Sequence, residues 1–478
     1  MRISRALTKA ECKHPVRVLQ FGEGNFLRAF VDWIIQEMND RGDFGAAVKV
    51  VQPIDFGRVK ELNEQEGLYN LFLTGLKDGQ PSKERKLVDC VVGGINPYQD
   101  YDAYLAEAEN PDLRFVVSNT TEAGIVYKAN DKIFNNPPTT FPGKLLALLH
   151  HRFKHFEGDM DKGLHMIPCE LIDRNGETLK ECLLQFADRW SLSDEFKTWL
   201  VEANTFSNTL VDRIVPGYPK DSAEEILKEL GYDDQLLVEG ENFHFWAIQA
   251  PEKVREEFPA DKTGLNVVFT DDLAPYRTRK VRILNGTHTA MVPVGLLAGI
   301  ETVRETVEDE NVGRFVAKAM EDIVASLDLP GQDVQAYADD VLTRFRNPYI
   351  RHFLKDISLN SFPKYKTRVL PSVLETIERG GEAPESLLLP LAAYVVLYNE
   401  PSFEPRDNAD IVSMVRGDKL AETEEDFRAK VEAVMGHAPL WGDNLADVAP
   451  LKEAVLKLVM EIKTEGILKF CGAKAGQA

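Results

Sequence analysis

The chain has 478 residues, 77 acidic against 56 basic side chains, a formal net charge of −21 and a pI near 5.0. That length allows two domains, or one very large one, around a full apolar core, and the charge argues against nucleic acid, whose phosphates would be repelled. The five cysteines, Cys12, Cys90, Cys169, Cys182 and Cys471, are odd in number and without paired spacing, which fits reduced thiols in a cytosol rather than a disulfide framework or a zinc site.

Residues 1–15 lack the apolar core of a signal peptide, and the longest apolar run, 387–398, contains Pro390 and is too short to span a bilayer. The expectation is a soluble cytoplasmic protein with no membrane or nucleic-acid partner and no protein partner.

The first third alternates strand-like and helix-like segments, the pattern of a parallel sheet flanked by helices. Residues 16–21 read as a buried strand that ends in Gly22-Glu23-Gly24-Asn25. Phe26, Phe30, Val31, Ile34, Ile35 and Met38 then recur at helical spacing up to a stop at Gly42. Further strands are expected at 46–52, 69–74, 86–92 and 113–118, the middle two as a side hairpin. From about Asp221 onward long amphipathic stretches dominate, at 303–327, 334–345, 426–435 and 447–464. The fold expected is α/β, with a dinucleotide-binding domain over 1–235 and a mainly helical domain over 236–478.

A strand, then Gly22-x-Gly24, then a helix is how a dinucleotide-binding unit opens. The glycines permit a tight turn and close approach of a pyrophosphate, whose charge a helix N-terminus favours. Leu27 stands at the third glycine position, and Gln52-Pro53 stands where an acidic residue would hold the ribose hydroxyls. Asp55 is the nearest carboxylate and Arg58 the nearest cation, so the residues leave NAD and NADP both open. A methyltransferase binding adenosylmethionine would open in the same way.

The stretch Lys280-Val281-Arg282-Ile283-Leu284-Asn285-Gly286-Thr287-His288 strings an amine, an amide and an imidazole along one predicted helix. At about 100° per residue, Asn285 lies about 140° around the axis from Lys280, with His288 between them. A general acid/base, an amide donor and an imidazole on one element suit proton transfer to or from a carbonyl or alcohol. The apolar run 290–299 that follows must be buried, so the polar trio sits at the mouth of a buried helix.

Taken together, these pieces resemble the long-chain polyol dehydrogenase/reductase family, which includes mannitol dehydrogenase and the hexuronate reductases. The likeness runs through Gly22-x-Gly24-x-Phe26-x-Arg28-Ala29-Phe30, residues 118–124, residues 211–216, Lys280-x4-Asn285-x2-His288 and residues 344–348. It implies a Rossmann-type domain plus a mainly helical one, with the site between them and no metal. It also implies Lys280 as general acid/base, Asn285 and Asn175 as oxyanion donors, and His288 as the residue orienting substrate hydroxyls. Phe21, Gly22, Gly24, Asn25, Phe26, Asp55, Ser118, Thr120 and Asp212 would form the cofactor side, with NAD as the cofactor. Leu171 stands where some relatives carry Asn, and Asp212-Arg213 reads equally well as a domain-locking ion pair.

Arg277, one turn before Lys280, replaces a glutamate of polyol-specific relatives. A guanidinium pairs a carboxylate in planar, two-pronged geometry, which favours a sugar acid over an uncharged polyol. The basic run 276–282 and Asp356, at a position where polyol enzymes often use arginine, point the same way, with Lys364 and Arg368 as further substrate-holding residues. The resemblance therefore implies NADH-dependent reduction of tagaturonate to altronate, a small-molecule hexuronate/aldonate pair, in hexuronate breakdown. Reduction of fructuronate, oxidation of mannitol, and a nucleotide-sensing regulator without chemistry are the alternatives.

Overall fold

The computed structural model describes the chain apart from Asp43, Asp78, Glu122, Phe134, Asp443, Ala449, Pro450, Lys469, Phe470 and residues 472–478. The described residues divide into two compact units, Met1–Gly75 with Ser82–Leu273, and Ala274–Ala478 with Leu76–Pro81. Among the described residues there are twelve strands, all before residue 270: β1 (Val16–Phe21), β2 (Ala47–Val51), β3 (Tyr69–Lys77), β4 (Gln80–Val88), β5 (Val91–Ile95), β6 (Phe115–Ser118), β7 (His165–Pro168), β8 (Thr205–Phe206), β9 (Asn208–Asp212), β10 (Val238–Glu241), β11 (Phe245–Gln249) and β12 (Val267–Phe269).

Six of them form the central sheet in the order β5-β2-β1-β6-β7-β8, every pair parallel. Side chains alternate across such a sheet. Val18, Val48, Val50 and Val117 enter one apolar cluster with the helix Val31–Arg41. Leu19, Phe21, Val51 and Val116 enter the other, with the helices Phe141–His155, Asn175–Arg189 and Asp194–Glu202. The sheet is thus covered on both faces, the Rossmann-type arrangement expected. Strand order reverses between β1 and β6, and ligands of open parallel sheets bind outside the strand C-termini at such a reversal.

Three expectations change. The strand read at 86–92 is two strands, because β4 ends at Val88 and β5 begins at Val91, in different sheets. The helix after the glycine turn is broken at Phe30 (φ −128°, ψ −73°) into Asn25–Ala29 and Val31–Arg41. The first unit runs to Leu273 rather than 235, because β10, β11 and β12 complete two small sheets with β3, β4 and β9. Those three strands have only three to five residues each, too few to show alternation in the sequence.

The second unit is helical. Its centre is a pair of buried helices, Gly286–Leu297 and Glu385–Tyr398, the first apolar from Ala290 onward and the second apolar around its circumference, as a buried helix is. The Tyr394 hydroxyl donates to the Thr289 carbonyl at 2.9 Å across that pair. The helix read at 303–327 is again two, Val303–Glu308 and Glu310–Ser326, with Asp309 capping the second through the amides of Asn311 and Val312. Among the described residues no helix is long and apolar enough to cross a membrane.

Candidate active site

In the first unit, the turn after β1 carries the cofactor signal. Gly22 has φ +121°, and a Cβ there would stand 3.1 Å from the Asn119 carbonyl oxygen and 3.2 Å from Leu27 Cδ1. Leu27 is buried against this turn, so the missing third glycine is an apolar contact that closes the turn from below. The Gly22 amide donates to Val51 O at 3.0 Å and the Asn119 amide to Phe21 O at 3.2 Å, joining the turn to both sides of the strand-order reversal. Gly24 is exposed at the head of the helix Asn25–Ala29, without a side-chain cap and with no heavy atom within 4 Å of an added Cβ. An open helix start beside a glycine with positive φ fits a pyrophosphate. Asn25 is exposed and Phe26 half-buried at the same turn, while Phe21 is fully buried beneath it.

Buried Arg28 staples this turn from within. Its guanidinium donates to Glu23 O at 3.1 Å, to Asn25 Oδ1 at 2.7 Å and to Leu236 O, and lies 5.2 Å from the Tyr69 ring centroid. Past β2, Asp55 is exposed and lines a cleft of about 640 Å³ with Gln52, Phe56, Gly57 and Asn96. That cleft lies at the C-terminal ends of β2 and β5, where the nucleoside half of a dinucleotide would sit.

The ends of β6 and β7 hold a residue that the sequence reading passed over. Glu170 is buried and accepts Ser118 Oγ at 3.0 Å, the Thr120 amide at 3.0 Å and Thr120 Oγ1 at 2.9 Å. Burial pushes its carboxyl up, against the pull of those donors. The hydroxyl hydrogens of Ser118 and Thr120 are therefore directed to Glu170. A carboxylate directly after an apolar strand, matched to Ser118 and Thr120 after its neighbour, was the available signal.

Asn175 departs from its expected role. Its Nδ2 lies within 3.1–3.3 Å of Pro168 O, Glu170 O, Thr209 O and Thr209 Oγ1, and its Oδ1 accepts the Thr209 and Gly176 amides at 2.8 and 3.0 Å. Both amide hydrogens are committed to the protein, so Asn175 ties β7 to β9 and has no donor left for an oxyanion. Leu171, 59 % exposed, lines a neighbouring cleft of about 400 Å³ with Asn119, Thr121 and Ala123. Asp212 is buried at the end of β9. Arg213 donates to the carbonyls of Ala29, Phe243 and Asn242 and lies 4.1 Å from the Trp33 ring centroid, all inside the first unit.

In the second unit the stretch Lys280–Asn285 is a π-helix, set between the α-helices Ala274–Arg279 and Gly286–Leu297. A π turn bonds residue i to i+5 and is frequent at functional sites. Residues five apart then stack one turn above another, so Lys280 and Asn285 share a side, closer than the wide angle of an α-helix allows. Both are half-buried, and His288 is 6 % exposed. The His288 ring packs 4.4 Å from Phe345 and 4.9 Å from His352 by centroids, so the motif at 344–348 and the histidine meet. Within the π turn, buried Arg282 donates to Ser372, Ser326 and both carboxylate oxygens of Glu375. Arg279 lies over the Tyr337 ring at 4.3 Å. Arg282 is thus held inside the unit, and Arg277, the substrate candidate, is half-buried on Ala274–Arg279.

Arg368 and Lys364 share the helix Ser361–Arg368. Arg368 Nη1 reaches Thr289 Oγ1 at 3.5 Å, beside His288. Lys364 Nζ donates to Ile357 O at 2.9 Å, and burial, reinforced by Arg368, pulls its ammonium down to about 8. Asp356 is exposed and lies 3.5 Å from Arg406.

Residues 16–262 match the mannitol dehydrogenase Rossmann domain, and residues 272–463 match the mannitol dehydrogenase C-terminal domain. The chain belongs to the mannitol dehydrogenase family. The second match begins at residue 272, within two residues of the start of the second unit at Ala274. The chain is 45 % identical to the altronate oxidoreductase of Bacillus subtilis (strain 168) over 455 residues, 95 % of this chain and 94 % of that one. Among solved structures of similar shape is a substrate-free D-sorbitol dehydrogenase, at 20 % identity and a TM-score of 0.81, over 98 % of this chain and 99 % of that one. Another is the Pseudomonas fluorescens mannitol 2-dehydrogenase with NAD and D-mannitol, at 22 % identity and a TM-score of 0.71 over the same shares, 98 % and 99 %. At those identities the likeness speaks for the fold of this mannitol dehydrogenase family member and not for its substrate.

Proposed function

We propose that this chain is an NAD-dependent oxidoreductase that interconverts tagaturonate and altronate in hexuronate breakdown. Its identity of 45 % over 95 % of its length to an altronate oxidoreductase carries the choice of substrate. The π turn supports the reaction type, since it puts an ammonium and an amide on one side of one helix. NADH, when bound at the glycine turn, supplies the hydride. The Lys280 ammonium gives a proton to the ketone oxygen during reduction and takes it back from the alcohol during oxidation. The Asn285 amide donates to the same oxygen as it gains charge. His288, held by the Phe345 and His352 rings, orients the neighbouring hydroxyls, and Arg277 with Arg368 holds the carboxylate. We assign the reaction to the cytoplasm, where the five free cysteines stay reduced.

The test is NADH oxidation with tagaturonate, fructuronate and fructose measured in parallel. The reading expects the largest kcat/KM for tagaturonate. A larger value for fructuronate would move the chain to the neighbouring uronate reaction, and one for fructose would remove the acid specificity altogether.

A further inference from the structure

The ribose of an NAD-type cofactor is commonly held by a carboxylate at the end of the second strand, whereas NADP sites place an arginine there for the 2′-phosphate. In this chain Gln52 stands at that position, and its amide donates to Ile54 O at 2.9 Å. The carboxylate comes instead from the glycine turn. Glu23, between Gly22 and Gly24, reaches across to the segment after β2, where its Oε1 accepts the Arg58 amide at 3.0 Å. Contact there is so close that a Cβ on Gly57 would overlap Glu23 Oε1 and the Gln52 side chain. Gly57 and Gln52 both line the cleft at the ends of β2 and β5.

Of the two cations of that segment, Lys60 lines the cleft and Arg58 does not. Arg58 Nη2 donates to Gln235 O at 2.8 Å, and its Nε lies 4.0 Å from Glu61 Oε1. Lys60 lies 3.9 Å from Glu64. The Arg58 amide thus fixes the carboxylate against Gly57 and Gln52, two residues of the cleft wall, within reach of a ligand hydroxyl. A 2′-phosphate would bring close to two negative charges against this carboxylate, with no guanidinium turned to meet it.

We infer that Glu23 selects NAD over NADP, standing in for the missing acidic residue at the end of β2. The inference rests on reading this unit as a nicotinamide-dinucleotide site. Glu23→Gln is the informative variant, because its amide oxygen can still accept the Arg58 N–H while the charge is gone. Dissociation constants for NADH and NADPH, read from nicotinamide fluorescence without substrate, give a measure independent of turnover. The ratio of the NADPH constant to the NADH constant should fall about 10-fold or more in Glu23→Gln. It should fall less in Asp55→Asn, whose carboxylate is exposed on the same segment. Equal weakening of both cofactors in Glu23→Gln would reduce Glu23 to a structural anchor and overturn the inference. So would a shift in Asp55→Asn with none in Glu23→Gln. Wild-type protein that binds neither dinucleotide would overturn the cofactor reading itself, a result separate from either of these.

Discussion

The carbonyl oxygen of Arg368 lies 2.8 Å from where a Cβ on Gly286 would stand, with Ile323 Cδ1 at 3.4 Å on another side. Gly286 is helical (φ −64°, ψ −47°), so its bare Cα serves close approach and not backbone freedom. It lets the end of the helix Ser361–Arg368 press against the junction of the π turn and the helix Gly286–Leu297. Arg368 is thereby placed beside Thr289, next to His288. Gly286→Ala should lower stability by about 1–3 kcal/mol, the usual range for overpacking against an atom that cannot swing aside. Urea unfolding measures this, and an unchanged midpoint would mean that the two helices separate at little cost.

Lys280→Ala should reduce turnover by about 10²–10⁴, the range for a general acid/base, while NADH binding is kept. Asn285→Ala should lose about 10²–10³, chiefly in kcat. Steady-state kinetics with cofactor titration separate the two quantities. Turnover within a few-fold of wild type in Lys280→Ala would remove the lysine from the proton-transfer role.

Asn175→Ala distinguishes a donor to substrate from a tie within the first unit. The side chain satisfies the amides of Thr209 and Gly176 and backbone carbonyls of Pro168, Glu170 and Thr209. Leaving such buried groups unpaired costs about 1–3 kcal/mol each. The variant should therefore melt several degrees lower in calorimetry. A variant with unchanged Tm and collapsed kcat would restore Asn175 to the oxyanion role.

Arg277→Glu should weaken tagaturonate binding severely, by setting like charges together in a half-buried place, and should affect fructose much less. Truncation to alanine should be milder, because Arg368 keeps part of the carboxylate's charge. The deciding quantity is the ratio of kcat/KM for the uronate and for the neutral ketose. If that ratio does not move between wild type and Arg277→Glu, the carboxylate is read elsewhere.

Beneath the glycine turn, Asp32 makes stability depend on pH. Burial raises its carboxyl to about 7, although hydrogen bonds from Tyr69 and Gln20 pull it down. The Tyr69 hydroxyl lies 2.9 Å from Arg28 O and 3.0 Å from Asp32 Oδ2 and has one hydrogen, so both bonds form together when Asp32 carries the proton. Between about pH 4 and 7 the folded state holds a proton that the unfolded chain has released, so stability falls as pH rises through that window. In Asp32→Asn this part of the slope should vanish. Denaturant unfolding across the window checks it, and parallel curves for the two proteins would show that Asp32 does not titrate there.

How much was legible follows the length and regularity of the signal. The strand at 16–21 and the helix at 334–345 were read as they stand, since each buries a run long enough to show its period. The motif from Lys280 to His288 was legible as chemistry but not as geometry. A π turn depends on partners remote in sequence, here Ser326, Ser372 and Glu375 drawing in Arg282, and no local propensity announces it. Ser118, Thr120 and Asn175 were found without their ties to Glu170, because that partner becomes visible only when neighbouring strand ends are laid side by side. The short strands β10 to β12 were missed because pairing, not pattern, makes them strands.

The π turn also fixes how the stretch tolerates changes of length. It holds one residue more per turn than the α-helices on either side, so it is a phase defect in an otherwise continuous rod. Deleting Val281 would let the segment relax to a regular α-helix, with Asn285, His288 and the buried helix after them left in their seats. Lys280 would then stand four residues before Asn285, about 40° around the axis, so the ammonium and the amide would keep a common side. The π turn thus does for a five-residue spacing what an α-helix does for a four-residue one, and the chemistry should survive a one-residue shortening that removes the turn and the surplus residue together.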